Sequence, residues 1–332
     1  PIICKKMNAI NFEQGHASDI KHPNQFFSTI SWYRSLKCLA VLHQWKLLSG
    51  YNQMLSLLRT HQQWSDQHHY QHADHLLKQL VGLWPDIERQ PRIWACVHIG
   101  PYAMIARTLM VMGYKLAVLL RADVFEEQEQ IYRAHFHLSF GREPVENELI
   151  FIKANVGNPL LRLKEAIRNG CQVIFFMDGQ LSLGEEGKGW ASVRLHGSNV
   201  SLREGIVALS HWTGTPITAV VLTLLSGQIK LRLSKEFYVN SKAEYQNVLQ
   251  QMIDLLHALE VEELIQWECL PIILDKGQGM VTHNNPDRKI WLPLHTGGNS
   301  MLFDIATGRS VSIPADEFDS VSKKFKGLLE GI

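Results

Sequence analysis

Two residues in this 332-residue sequence stand where an α/β sheet would display side chains for chemistry. His98 ends the apolar run Ile93-Trp-Ala-Cys-Val-His98, just ahead of Gly100-Pro101, the pattern of a strand stopped by a turn. Asp178 follows Val173-Ile-Phe-Phe-Met177, a run with no polar alternation, as in a parallel strand covered on both faces. Ligands of open α/β sheets bind beyond the carboxyl ends of the strands. A histidine placed there can act as a general base, and an aspartate can orient it. Position alone equally suits a core histidine bonded to a carbonyl and an aspartate that caps a turn.

Other polar groups carry weaker signals. Gly184-Glu-Glu-Gly-Lys-Gly-Trp190 holds three glycines that could nest a phosphate, but no Gly-Lys-Ser/Thr opens a helix there. A surface loop is the expectation. His68, His72 and His75 share one helical face at i, i+4 and i+7. No carboxylate or cysteine set accompanies them, so a metal is not expected.

The elements that must position these groups follow from periodicity. Leu36, Leu39, Ala40, Leu42 and Trp45 recur at helical spacing, as do Leu76, Leu77, Leu80 and Leu83 before Trp84-Pro85. Segment 36–58 reads as one amphipathic helix; Lys37, Lys46 and several amides make it too polar to span a bilayer. It could still lie on a surface, so peripheral membrane contact stays open. Strands are expected over 93–98, 115–120, 172–177, 216–224 and 228–233. Helices are expected over 102–112, 158–169, 201–212 and 242–265, with Ser201 and Glu204 spaced as a capping box. This alternation implies an α/β fold, a mainly parallel twisted sheet with helices on both faces. A breaker-rich stretch after Pro271 leads to short strands over 289–294, 301–305 and 310–313 and a helix over 315–329. The expected division is a helical region 1–90, an α/β core 91–270 and a small β-plus-helix appendage 271–332.

Composition excludes several function classes. Lys+Arg 33 against Asp+Glu 32 gives a net charge of +1, so no global field attracts nucleic acid. Five scattered cysteines, in no CxxC pair, suit free thiols of a reducing cytoplasm better than a disulfide framework or a zinc site. The first ten residues do not read as a signal peptide.

Taken in order, the motifs resemble the lipid A late acyltransferases and the wider lysophospholipid (glycerol-phosphate) acyltransferase-like superfamily. The likeness runs over roughly 30–270 and rests on Val97-His98-Ile-Gly-Pro-Tyr102, Ala117-Val-Leu-Leu-Arg121, Ile174-Phe-Phe-Met-Asp178-Gly-Gln180, Val193-Arg-Leu-His196-Gly197 and Ala208-Leu-Ser-His-Trp-Thr-Gly-Thr-Pro216. Gln266-Trp267 falls where that family has a tryptophan near its end. The resemblance implies a glycerol-phosphate acyltransferase-like fold and a histidine base that activates an acceptor against an acyl thioester. On this chain His98 would be the base, Asp178 its partner and Arg121 an anion contact. Tyr102, Gln180, Gly197 and His196 would be substrate-side residues, but His196 replaces the family's phenylalanine, so a structural turn is the first expectation at His196-Gly197. Phe175 and Phe176 would serve the core or an acyl pocket. The donor would be a thioester on acyl carrier protein or coenzyme A, with no resident cofactor; the acceptor would be an amine or hydroxyl. Two departures stand out. Ala103 occupies the position five after His98 where the family has its catalytic acid, and no segment of this sequence is expected to serve as the membrane anchor that family usually carries. Asp178 is the first substitute for that acid, with Glu185 and Glu186 behind it. The departures suit natural-product or peptide tailoring, transfer of an aminoacyl group, or a non-catalytic scaffold that holds a carrier protein or acylated peptide.

Overall fold

A computed structural model describes residues 26–66, 74–85, 89–154, 156–179, 189–273 and 290–330. The chain packs as two compact units, Pro1–His68 with Glu260–Ile332 and His69–Leu259.

His69–Leu259 is the α/β unit. It contains α3 (Asp74–Leu83), β1 (Ile93–Cys96), α4 (Ala103–Val111), β2 (Leu116–Leu120), α5 (Phe125–Phe140), β3 (Leu149–Lys153), α6 (Pro159–Arg168) and β4 (Gln172–Phe176). The hairpin β5 (Trp190–Leu195) and β6 (Ser198–Arg203) comes next, then α7 (Gly205–Thr213), β7 (Ile217–Leu225), β8 (Gln228–Leu233) and α8 (Tyr245–Ile253). Six strands form one sheet in the order β3-β2-β4-β1-β7-β8. All neighbours are parallel except β7 and β8, whose Ser226-Gly227 connection has positive φ at both residues. Every residue of β1 and nearly every residue of β7 is buried, which explains their unbroken apolar sequence.

The path between strands reverses once. From β1 the chain passes by α4 to β2 and by α5 to β3, always towards one edge. It then returns by α6 to β4, and by the hairpin and α7 to β7. Parallel crossovers are right-handed, so the two directions place their helices on opposite faces. Accordingly α4 packs on α5, and α6 packs on α7. The reversal falls between the adjacent strands β1 and β4.

Pro1–His68 with Glu260–Ile332 contains α1 (Ile30–Gln44), α2 (Tyr51–Asp66), the short α9 (Val261–Leu264), the antiparallel strands β9 (Trp291–Thr296), β10 (Asn299–Asp304) and β11 (Arg309–Ser312), and α10 (Ala315–Glu330). The helices near its start and the small sheet near its end share one core. Trp32 Nε1 donates to the Pro293 carbonyl at 2.7 Å, and Phe27 meets Phe318 edge to face. Segments expected as separate regions, 1–90 and 271–332, therefore contribute to one unit. The helix Asp74–Leu83 belongs instead with the sheet.

Three further expectations are corrected. Segment 36–58 is two helices rather than one. At the end of α1 the Lys46 N–H donates to His43 O and the Leu47 N–H to Leu42 O, with Lys46 at φ 59, a Schellman cap that stops the helix. Lysine is strained in that region, so Lys46→Gly is expected to stabilise the protein by about 0.5–1 kcal/mol, read as a raised urea midpoint. Segment 201–212 is not one helix with a capping box: Ser198–Arg203 pairs with Trp190–Leu195, and Ser201 lies opposite Ser192 in the ladder. Segment 242–265 is broken, because Leu259 and Glu260 are extended and Glu260 begins a new helix through its own capping box with Glu263. Helix Phe125–Phe140 and strand Leu149–Lys153 had no counterpart in the sequence reading. Among the described residues no helix is long and apolar enough to cross a membrane.

Candidate active site

The strand register brings His98 and Asp178 together. Ile93 pairs with Val173 and Cys96 with Phe176, a constant offset of 80 that carries past both strand ends to His98 and Asp178. His98 Nδ1 lies 2.7 Å from Asp178 Oδ1, and the His98 backbone N–H donates to Oδ2 at 2.8 Å. One carboxylate thus fixes both the ring and the main chain of the histidine. Asp178 is wholly buried, whereas the His98 side chain keeps 15% of its surface. Both residues sit at the carboxyl ends of the two strands between which the winding reverses, the switch point where open α/β sheets bind ligands.

A carboxylate only accepts, so its contact places a proton on Nδ1 and leaves Nε2 as the basic nitrogen of the neutral ring. Phe176 stacks on the imidazole with centroids 4.3 Å apart and planes 25° apart, and Tyr102 meets the same ring edge-on at 4.8 Å. Tyr102 and Phe176 also touch each other, at 5.5 Å. Rings on two sides hold the imidazole in one orientation. Nearby Cys96 is fully buried, and burial first, then the Asp178 charge, pushes its thiol well above the ordinary range, so it is no nucleophile.

The turn that carries His98 is pressed against the sheet. Ile99 N–H closes a tight turn onto Val97 O at 2.8 Å, and Gly100 has φ +59. Pro101 and Tyr102 then lead into α4, whose first residue is Ala103. Ala103 brings no acid to the histidine; Asp178 engages Nδ1 from the neighbouring strand.

The remaining expected residues lie elsewhere or pair differently. Arg121 follows β2 on the same sheet edge, but its guanidinium makes a two-point pair with Asp123, at 3.0 and 2.6 Å. His196 and Gly197 form the β5–β6 turn with φ 45 and 83, the positive pair of a two-residue hairpin loop. The His196 ring packs against His257 at 4.6 Å, which gives it a place in the hairpin's footing. Gln246 and Gln250 on α8 secure the same hairpin, bonding the main chain of Ser192 and Arg194 along the β5 edge. Gln180, Glu185, Glu186, His68, His72, most of the 184–190 loop and the whole 274–289 stretch lie outside the described residues. His75 lies exposed on α3.

Burial, and secondarily the charge of His257, lowers His196 from an ordinary 6.5 to about 4. The unfolded chain takes up that proton at higher pH, so this residue leaves stability untouched above pH 6.5 and subtracts from it as pH falls towards 4. His196→Asn, which tolerates the same backbone, should flatten the acid loss in urea midpoints compared at about pH 7 and about pH 5.

Phe176, expected in the core or an acyl pocket, is the ring that stacks on His98. Its signal was available in the register, since the last residue of β4 must flank whatever follows the end of β1. No protein-family model and no curated protein matches this sequence, so the functional reading rests on the site itself.

Proposed function

We propose that this chain is an acyltransferase of the glycerol-phosphate acyltransferase-like kind, with Asp178 in the role of the acid that Ala103 lacks. The observation that carries this reading is the 2.7 Å contact between His98 Nδ1 and the buried Asp178 carboxylate at the sheet's switch point. In the proposed step an amine or hydroxyl acceptor gives its proton to His98 Nε2 as its nitrogen or oxygen attacks the thioester carbonyl. The carbon–sulfur bond then breaks, and the imidazolium returns the proton to the departing thiolate. Asp178 keeps Nδ1 protonated and balances the charge on the ring throughout. The donor is an acyl or aminoacyl thioester of a carrier protein or coenzyme A, the setting cytoplasmic, and the product a tailored natural product or lipid-like molecule.

The test is intact-mass assay of amine and hydroxyl acceptors with an acyl-carrier thioester donor, comparing wild type with His98→Ala. Transfer that survives the substitution undiminished removes His98 from the chemistry. Ala103→Glu provides a second measurement. With Nδ1 already held by Asp178, the added acid should change the rate by less than about threefold. A large activation would instead mark a decayed site of the ordinary family type. The scaffold reading draws on the pairing of Arg121 with Asp123, which offsets the cation that would meet a substrate anion.

A further inference from the structure

The strand β3 borders the six-stranded sheet and pairs with β2 on its inner side. Leu116 N–H donates to Glu148 O, and Ala154 N–H to Leu120 O. With the parallel register these bonds commit residues 148, 150, 152 and 154 to β2. The main-chain groups of Leu149, Phe151 and Lys153 consequently face away from the sheet. Phe151 O shows that direction: among the described residues it receives a long 3.4 Å bond from Arg162 Nη2.

In front of this row lies a groove of about 430 Å³, of the size that ligand sites occupy. Phe125, Glu129 and Arg133 of α5, spaced one turn apart, line it together with Arg162, Glu165 and Ala166 of α6. A floor of alternating donors and acceptors recognises another extended backbone. Helices line both sides, which leaves room for one added strand and not for the helix-flanked edge of a second sheet. The lining also includes Glu146, so three carboxylates face two guanidinium groups, and Arg133 is already bonded to Glu129 at 2.9 Å. The excess among these lining side chains is negative, with the Lys153 ammonium at the end of β3 turned onto the Phe125 ring at 4.5 Å.

We infer that the β3 groove docks an extended peptide segment of a partner protein, added as a seventh strand, with a basic side chain directed at Glu165. The peptide's own N–H replaces the long Arg162 bond to Phe151 O. This docking is independent of the chemistry assigned to His98.

A fluorescein-labelled (Lys-Val)₃ amide, its (Glu-Val)₃ counterpart, and amide exchange read by mass spectrometry test the inference on the full chain. The expected result is at least about tenfold tighter binding of the basic peptide, with new protection at Phe151 and Lys153. Lys153→Pro removes an outward N–H and leaves the β2 ladder intact, so it should weaken binding by about tenfold. The exposed substitution Glu165→Lys, which leaves the core alone, should reverse the charge preference. Binding unaffected by both variants, protection located elsewhere, or no binding below millimolar peptide would overturn the inference. So would a dimer of the free protein, by light scattering, that Lys153→Pro dissociates, because the groove would then belong to a second copy.

Discussion

Asp178→Asn is expected to lower the proposed acyl transfer by about three to four orders of magnitude while the protein stays folded. The amide oxygen can still accept the His98 main-chain N–H that Oδ2 accepts now. Its NH₂ group then faces Nδ1 and donates. The imidazole has to accept there and carry its proton on Nε2, the atom that must receive the acceptor's proton. The defect is therefore one of tautomer, which separates it from His98→Ala, where the base itself is gone. Nitrogen-correlated NMR of the ring should show the proton moved from Nδ1 to Nε2. If activity stays within about threefold of wild type, the orienting role of Asp178 is wrong.

Gly100→Ala carries the second large effect, this time on the fold. A Cβ at Gly100 would come 2.4 Å from Leu222 O and 3.0 Å from Thr223 Cα, both main-chain atoms of β7. No rotamer change relieves such a contact, and alanine is also disfavoured at φ +59. A penalty of about 3 kcal/mol follows from the left-handed backbone and the forced shift together, or about 6–12 °C in melting temperature. Because Gly100 lies two residues beyond His98, the displaced turn also pulls Nδ1 away from Asp178. Thermal unfolding and transfer rate should thus fall together, and an unchanged melting temperature would show that the turn can yield.

The sequence reading reached the sheet because its central strands are written without ambiguity. The apolar runs Ile93–Cys96 and Val173–Phe176 are stopped by glycine or turn residues, so both were legible, together with the residues just beyond them. Asp178 was expected as the partner of His98 because it is the first substitute for the acid missing at Ala103; the strands alone do not give the contact, since apolar pattern says nothing about which strands are neighbours. Helix Phe125–Phe140 stayed hidden behind its polar faces, with four charged residues among sixteen and little apolar rhythm. Ser201 and Glu204 misled because a capping spacing is only local, and the pairing of Ser198–Arg203 with Trp190–Leu195 overrides it. Arg121 was placed correctly on the sheet edge by its strand. Its two-point bond to Asp123 depends on side-chain geometry that spacing does not encode.

The strand order β3-β2-β4-β1 has a consequence for how the molecule comes into being. β4 is the last of these four to be synthesised, yet its place is between β1 and β2. Until it arrives, a nascent chain that already contains three strands holds an empty slot bounded by two unsatisfied edges, the kind of surface that recruits other chains. Filling the slot is a long-range closure, slow by topology. It is also the event that delivers Asp178 to His98, so a ribosome-bound or truncated chain that stops short of β4 would expose these strand edges and lack the His98–Asp178 contact at the same time. Insertion of β4 therefore fills the slot and brings Asp178 to His98 together, while the far edge of β1 stays open until β7 follows.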